Sequence, residues 1–154
     1  MPEEMSCVNT DLAVSVYVRL VRTAEALHAR VSQGLVEEGL TASQFSTLKV
    51  LRLRGPQAQK DIANYLLKTG GNITLVVDNL VRRKLVKRGN DPNDRRIALV
   101  KLTPLGEATF DRIYPPHLAR IHAAMEALDC EQLRVLQDLL SRLEEPAPVA
   151  CATS

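Results

Sequence analysis

The sequence predicts a mainly α-helical fold with one small β-hairpin, and three observations support this. Apolar residues recur at helical spacing in several segments, of which residues 11–37 form the longest. A turn with two glycines, at residues 68–71, separates two short helical segments. Two strand-like segments, 85–88 and 97–102, flank a run of turn-forming residues. Because aromatic residues make up only 3% of the chain, we expect an aliphatic core.

The first two helices are delimited by local end signals. The first covers about residues 11–37 and ends near Gly39, a residue type that commonly follows the last helical turn. The tetrapeptide Thr41-Ala-Ser-Gln44 has the spacing of a capping box, in which the first and fourth side chains each bind the other's backbone amide. A second helix therefore follows and is stopped by Gly55-Pro56.

The next two helices have the arrangement of a helix-turn-helix. A short helix is expected over about residues 59–67, a tight turn at 68–71 and a second helix over about 72–84. In the latter, we expect Asp78 to pair with Arg82 one turn on. The hairpin that follows would complete a winged helix-turn-helix.

The hairpin region is strongly basic. Residues 82–101 contain eight basic and two acidic residues, a net charge of +6, whereas the rest of the chain sums to −4. A basic block on a nearly neutral chain indicates a polyanionic partner. The alternative is a solvated basic face with no partner. The basic residues are Arg82, Arg83, Lys84, Lys87, Arg88, Arg95, Arg96 and Lys101.

The C-terminal third is expected to be helical. Thr103-Pro104 has a capping residue followed by proline at the first helical position. Pro115-Pro116 should kink or break this helix, because proline lacks the amide and clashes with the preceding turn. Helix is expected to resume at about residue 117. Asp129-Cys-Glu-Gln132 then caps a last, leucine-rich helix, and residues 146–154 are expected to form a disordered tail.

Several function classes lack sequence support. No phosphate-binding glycine loop and no HExxH motif is present, so we expect neither catalytic residues nor a cofactor. The three cysteines include no CxxC pair, and His117 and His122 are badly spaced for one helical face, so no metal site is expected. With neither a signal core nor a long apolar run, the chain is expected to be cytoplasmic and without a membrane partner.

A series of short motifs resembles the MarR family of bacterial regulators. The resemblance covers about residues 42–106, and the wing followed by Leu-Thr-Pro-Leu-Gly is its most specific element. The motifs are Thr41-Ala-Ser-Gln-Phe-Ser-Thr-Leu48, Gly55-Pro56, Asp61-Ile-Ala63, Asn72-Ile-Thr-Leu-Val-Val-Asp-Asn-Leu80, Leu85-Val86, Asp91-Pro-Asn-Asp-Arg-Arg96 and Val100-Lys-Leu-Thr-Pro-Leu-Gly106.

The resemblance implies one MarR-type domain over residues 1–145. Its winged helix-turn-helix would span about 42–106, and helices at about 10–38 and 104–145 would form the dimerisation region. It further implies a homodimer, with double-stranded DNA as partner and a small aromatic or phenolic effector that releases a repressor from a palindromic operator. In the family pattern, Asp94 pairs with Arg96 and directs the guanidinium into the minor groove. Some relatives sense oxidants through a cysteine near the first helix, so the resemblance makes Cys7 a candidate for redox sensing; the alternative is an incidental thiol.

Two groups of residues are the expected DNA contacts, because one helix fits the major groove and its N-terminal residues meet the base edges. In the recognition helix they are Thr69, Gly70, Gly71, Asn72, Thr74, Leu75 and Arg82. In the wing they are Lys87, Arg88, Asp94, Arg95, Arg96 and Lys101. The alternative is a winged-helix module that contacts proteins and has no operator of its own.

Overall fold

A computed structural model describes residues 10–66 and 70–144, and within them it contains six helices and a three-stranded antiparallel sheet. The predicted mainly α fold with a small hairpin is confirmed. Cys7, Thr69 and the expected tail at 146–154 lie outside the described residues. The elements are α1 (Thr10–Glu37), α2 (Ala42–Arg54), β1 (Gln57–Ala58), α3 (Gln59–Tyr65), α4 (Gly70–Arg82), β2 (Val86–Asn90), β3 (Ala98–Leu102), α5 (Pro104–Met125) and α6 (Cys130–Glu144).

The helix ends follow the local signals in the sequence. The Thr41–Gln44 capping box is present, with both side-chain-to-amide bonds formed at 3.2 and 3.0 Å. Thr103 caps α5 by accepting from the Gly106 amide at 3.0 Å. Asp129 and Gln132 form the equivalent box before α6. Gly39 adopts a left-handed conformation (φ 75°) after α1.

The sheet has the strand order β1-β3-β2. The predicted hairpin is confirmed, with Val86 opposite Leu102 and Asn90 opposite Ala98. The two-residue strand β1 was not predicted, since so short a segment shows no alternation. It pairs with β3 through Gln57 opposite Val100, and so joins the start of α3 to the wing, by which we mean β2, β3 and the loop between them.

The core lies inside α2, α3, α4 and the sheet, which together we call the winged-helix lobe, and under α5. It is mainly aliphatic, as expected, and its two buried phenylalanines, Phe45 of α2 and Phe110 of α5, stack with 5.5 Å between ring centroids. The largest fully buried side chains in the lobe and at its junction with α5 are Leu48, Ile62, Ile73, Val77, Leu80, Val86, Val100 and Ile113.

The start of α4 differs from the prediction. The helix begins at Gly70, two residues before the expected start, so Gly70 and Gly71 form its first turn rather than the preceding loop. Glycine is a weak helix former. Here the burial of Ile73 and Val77 on the inner face holds the helix in place, and the Thr74 hydroxyl donates to the Gly70 carbonyl at 2.9 Å.

Of the kink or break expected at Pro115-Pro116, the break is wrong: α5 is one helix from Pro104 to Met125. Tertiary contacts override the local preference. Phe110 and Ile113 are buried just before the prolines. In the same turn Asp111 binds Arg52 of α2 at 3.1 Å, and Arg112 binds Glu38 after α1.

Candidate nucleic-acid interface

The outer face of α4 is exposed as the sequence predicted. Ile73, Val77 and Leu80 point into the core, while Asn72 and Leu75 lie on the solvent side, with 62% of Leu75 exposed. An exposed leucine on a helix that faces water is available to contact a thymine methyl group.

The ion pair expected within α4 is wrong. Asp78 binds Arg88 of β2 at 2.6 Å instead of Arg82, whose guanidinium donates to Asn79. Strand β2 brings Arg88 within reach, and a contact between two elements has no signature in the spacing of one helix. Arg82 thereby stays on the exposed surface of the last turn.

The first turn of α4 is open to a close approach. An added Cβ at either Gly70 or Gly71 would have no neighbour within 4 Å. The amides of a first helical turn lack intrahelical acceptors and favour anions. The hydroxyl of the exposed Thr74 is bound by other groups of the chain, since it also accepts from Nε2 of Gln59 at 2.6 Å.

The wing tip carries the acid and arginine pair that the motif predicts. Arg96 donates to both carboxylate oxygens of Asp94, from Nε at 3.1 Å and from Nη2 at 3.2 Å, and its amide adds a bond of 3.0 Å. These bonds from the guanidinium and the amide hold the pKa of Asp94 below its usual value, so the carboxylate stays charged. The Arg96 side chain is nevertheless 91% exposed. The structure therefore orients this guanidinium while leaving it accessible.

Two lysines face each other across the wing. Lys87 of β2 is directly opposite Lys101 of β3, and both are exposed. Within residues 10–66 and 70–144 neither has an ion-pair partner. Like charges at opposed positions destabilise a sheet. A bound anion would relieve the repulsion between these two lysines, so their placement favours an anionic partner. Sequence reasoning found both lysines but not their register.

Unlike Lys87 and Lys101, Arg88 of the wing is bound to side chains of α3 and α4. Its Nη2 donates to Asp78 of α4 at 2.6 Å and to Oε1 of Gln59 at 3.3 Å. Gln59 was not among the predicted site residues, because a single glutamine at the start of a short helix carries no functional pattern.

A metal site is absent from the described part of the chain. Across 10–66 and 70–144 no group of three or more His, Cys, Asp or Glu side chains is placed to hold a metal ion. Cys130 is an exposed free thiol at the first position of α6. In the part of the chain that the structure describes, none of the helices is long and apolar enough to cross a membrane.

A helix-turn-helix followed by a basic hairpin defines the winged-helix class of DNA-binding proteins. The family model described as "MarR family" matches residues 40–98. The uncharacterized HTH-type transcriptional regulator YkoM of Bacillus subtilis (strain 168) is 32% identical over 84% of each chain. The HTH-type transcriptional repressor NicR of Pseudomonas putida is 34% identical over 74% of this chain and 73% of its own.

A solved structure extends the comparison to three dimensions. The structure describing regulation of DNA binding of Bordetella bronchiseptica BpsR by 6-hydroxynicotinic acid superposes with a TM-score of 0.76. It is 27% identical and covers 85% of this chain and 99% of its own. The chain belongs to the MarR family and is a DNA-binding transcriptional regulator, which confirms both the resemblance and the expectation that it is not an enzyme.

Proposed function

We propose that this regulator is a ligand-responsive repressor that binds a palindromic operator as a homodimer. The observation that carries the proposal is the common placement of two exposed features. Hydrogen bonds through Arg88, Gln59 and Thr74 join the basic wing to the start of α4. One partner can therefore contact the wing and the start of α4 together. The repressor role is supported by NicR, a transcriptional repressor that is 34% identical to this chain.

The contacts to DNA are divided between the two features. The recognition helix reads base edges in the major groove through Thr69, Gly70, Gly71, Asn72, Thr74, Leu75 and Arg82. In the wing, Lys87, Arg95 and Lys101 contact phosphates, and Arg96, oriented by Asp94, enters the minor groove.

The homodimer is supported by apolar faces that a single chain leaves uncovered. On α6, Val135, Leu139 and Leu143 follow one another at four-residue spacing and are 49–68% exposed, and the helix has no buried residue. Leu12 and Val16 of α1 are more than half exposed. Aligned apolar side chains of this kind need a partner surface. A twofold dimer places two recognition helices about one turn of DNA apart.

The effector is a small aromatic or phenolic molecule. BpsR provides the precedent of a relative whose DNA binding is regulated by 6-hydroxynicotinic acid. Two buried polar atoms of α5, Nδ1 of His117 and Nη1 of Arg120, have no hydrogen-bond partner among residues 10–66 and 70–144. The His117 ring lies 4.5 Å from that of Phe45, and the Arg120 guanidinium lies against Gly34 of α1. An aromatic ligand with an acidic group would satisfy both polar atoms where α1, α2 and α5 meet.

Salt dependence tests the DNA interface. If each subunit neutralises about three to five phosphates, the slope of log K against log salt is about −5 to −9 for the dimer. Lys101→Ala should reduce this slope by about two per dimer and leave sequence preference alone. Arg96→Ala should weaken binding by ~1–3 kcal/mol and alter the preference for A·T-rich flanks. Arg134→Ala, an exposed arginine of α6, is the control and should change none of these.

The opposite result has a clear meaning. A slope shallower than about −2 would show that the basic block makes few phosphate contacts, and the wing would then be a protein-binding surface. Selection of bound fragments from random duplex DNA completes the test. A palindromic consensus is expected, and Asn72→Ala should relax it at one position in each half-site.

Release by ligand needs a separate experiment. Titration of the operator complex with 6-hydroxynicotinic acid and a panel of phenols should identify compounds that dissociate it. Arg120→Gln should remove this response while leaving DNA affinity in the absence of ligand unchanged. If no compound of the panel acts on the wild-type complex, the ligand-responsive part of the proposal is wrong.

A further inference from the structure

A chain of hydrogen bonds joins the wing to the first turn of the recognition helix. Arg88 of β2 donates to Asp78 of α4 at 2.6 Å and to Gln59 of α3 at 3.3 Å. Gln59 in turn donates to the Thr74 hydroxyl at 2.6 Å, and Thr74 donates to the Gly70 carbonyl at 2.9 Å. These hydrogen bonds thus connect β2, α3 and α4.

The charge balance sets Arg88 apart from its neighbour. Lys87 is the adjacent residue of the same strand and has no ion pair within the described residues, whereas the Arg88 guanidinium is matched by a carboxylate. A neutralised arginine releases little condensed counterion from DNA, since a phosphate would have to displace Asp78 first. The position of Asp78 on the recognition helix is also unfavourable beside phosphates unless its charge is compensated.

We infer that Arg88 is not a phosphate ligand, and that Arg88, Asp78 and Gln59 are positioning residues that fix the wing relative to the recognition helix. The inference rests on the DNA-binding face proposed above. Two rigidly connected elements reach the major and minor grooves in one binding event, while a loose connection must be ordered on binding and lowers affinity. The pair is exposed and contributes little to folding, so variants that break it should remain folded.

Asp78→Asn separates the two roles of Arg88 by the sign of its effect. If Arg88 binds phosphate, loss of the carboxylate frees it, tightens operator binding and steepens the salt slope. If Arg88 is a positioning residue, the same variant weakens binding about tenfold although it removes a negative charge from the DNA face. Fluorescence anisotropy with the selected operator, at several salt concentrations, measures both quantities.

A double-mutant cycle with a matched control completes the experiment. Arg88→Gln alone should weaken binding about as much as Asp78→Asn, and the double variant should be no weaker than either. Lys87→Gln removes the same charge one residue away, so it should reduce the salt slope by about two per dimer and be additive with Asp78→Asn. In free protein labelled with ¹⁵N, Arg88→Gln should shift the Gly70 and Gly71 amide signals, while Lys87→Gln should not.

The outcomes distinguish the inference from the function on which it rests. Tighter or unchanged binding by Asp78→Asn, with a normal response of Lys87→Gln, overturns the positioning role alone. A Lys87→Gln variant that keeps full affinity and slope instead overturns the proposed DNA-binding face.

Discussion

The winged-helix lobe and the terminal helices differ in how they bury apolar surface. The lobe encloses its own core, with Leu48, Val77 and Leu80 fully buried between elements of one chain. Helix α6 has no buried residue, and much of α1 exposes its valines and leucines. The hydrophobic effect therefore stabilises the two regions to different extents within one chain. The winged-helix lobe can therefore have a complete core in a monomer whose terminal helices still lack a covering surface.

The largest expected effect comes from a charge on the exposed face of α6. Leu139→Asp should dissociate the proposed dimer, because an aspartate buried in an apolar interface costs at least ~3 kcal/mol. Light scattering at micromolar concentration should then give the mass of one 17.0 kDa chain.

Gln137→Asp is the matched control for this variant. It adds the same residue to the opposite side of α6 and should leave the dimer intact. Retention of the lobe's helical circular dichroism in Leu139→Asp would support its independence. A dimeric Leu139→Asp protein would show that this face of α6 is not the interface.

A methyl group at Gly106 should damage the lobe instead. The added Cβ would lie 1.9 Å from the Leu85 carbonyl oxygen, a backbone atom that cannot rotate away. Gly106→Ala should lower the free energy of unfolding by about 3 kcal/mol, measured by urea denaturation. Gly71→Ala, where no neighbour lies within 4 Å, should instead raise it by about 0.5–1 kcal/mol. Equal stability of the two variants would contradict the close approach of α5 to the lobe.

Helices α1 and α4 end in the same way but with different residues. Gly39 (φ 75°) and Lys84 (φ 60°) both follow a helix in the left-handed conformation, which disfavours any residue with a Cβ. Lys84→Gly should therefore stabilise the lobe by about 1 kcal/mol, whereas Gly39→Ala should destabilise by a similar amount. Lys84→Ala removes the charge but keeps the Cβ, and should change the melting temperature little. A gain from Lys84→Ala equal to that from glycine would assign the effect to charge.

The smallest expected effect is a pH dependence at the junction of the two regions. Burial, aided by Arg120 and Lys49, lowers the pKa of His117 from its ordinary value of 6.5. The unfolded chain then binds more protons between the lowered value and 6.5, so stability falls as pH decreases through this window. Melting temperatures from pH 7.5 to 5.5 should show this decline. His117→Gln should flatten the decline, and His122→Gln, an exposed residue of the same helix, should not.

Local signals in the sequence predicted the helix ends well. The Thr41 capping box, the glycine after α1 and the Thr103 cap each depend on residues within four positions of one another, so their patterns are complete in the sequence. The hairpin was predicted for the same reason. The wing-tip pair of Asp94 and Arg96 is equally local, and the structure brings these two side chains together.

Contacts between elements were beyond this kind of reasoning. The pairing of Asp78 with Arg88 rather than Arg82 depends on how β2 packs beside α4. Strand β1 exists only because β3 offers it a partner. Continuity of α5 through two prolines depends on packing of the turn before them. Each case is a tertiary interaction that overrides a local preference, and each concerns how the site is held rather than which residues form it.

The uninterrupted α5 has a consequence for its carbonyl groups. Pro115 and Pro116 have no amide to donate, so the carbonyls of Asp111 and Arg112, four residues earlier, lack helical donors. The side chain of Asp111 binds Arg52, and that of Arg112 binds Glu38. These ion pairs hold the turn to neighbouring elements, whereas the two missing hydrogen bonds would have run along the helix axis. Two carbonyls without amide donors vibrate at higher frequency than the rest of the helix. A ¹³C label at Asp111 would make that bond an infrared reporter in the helix that links the DNA-reading lobe to the C-terminal end.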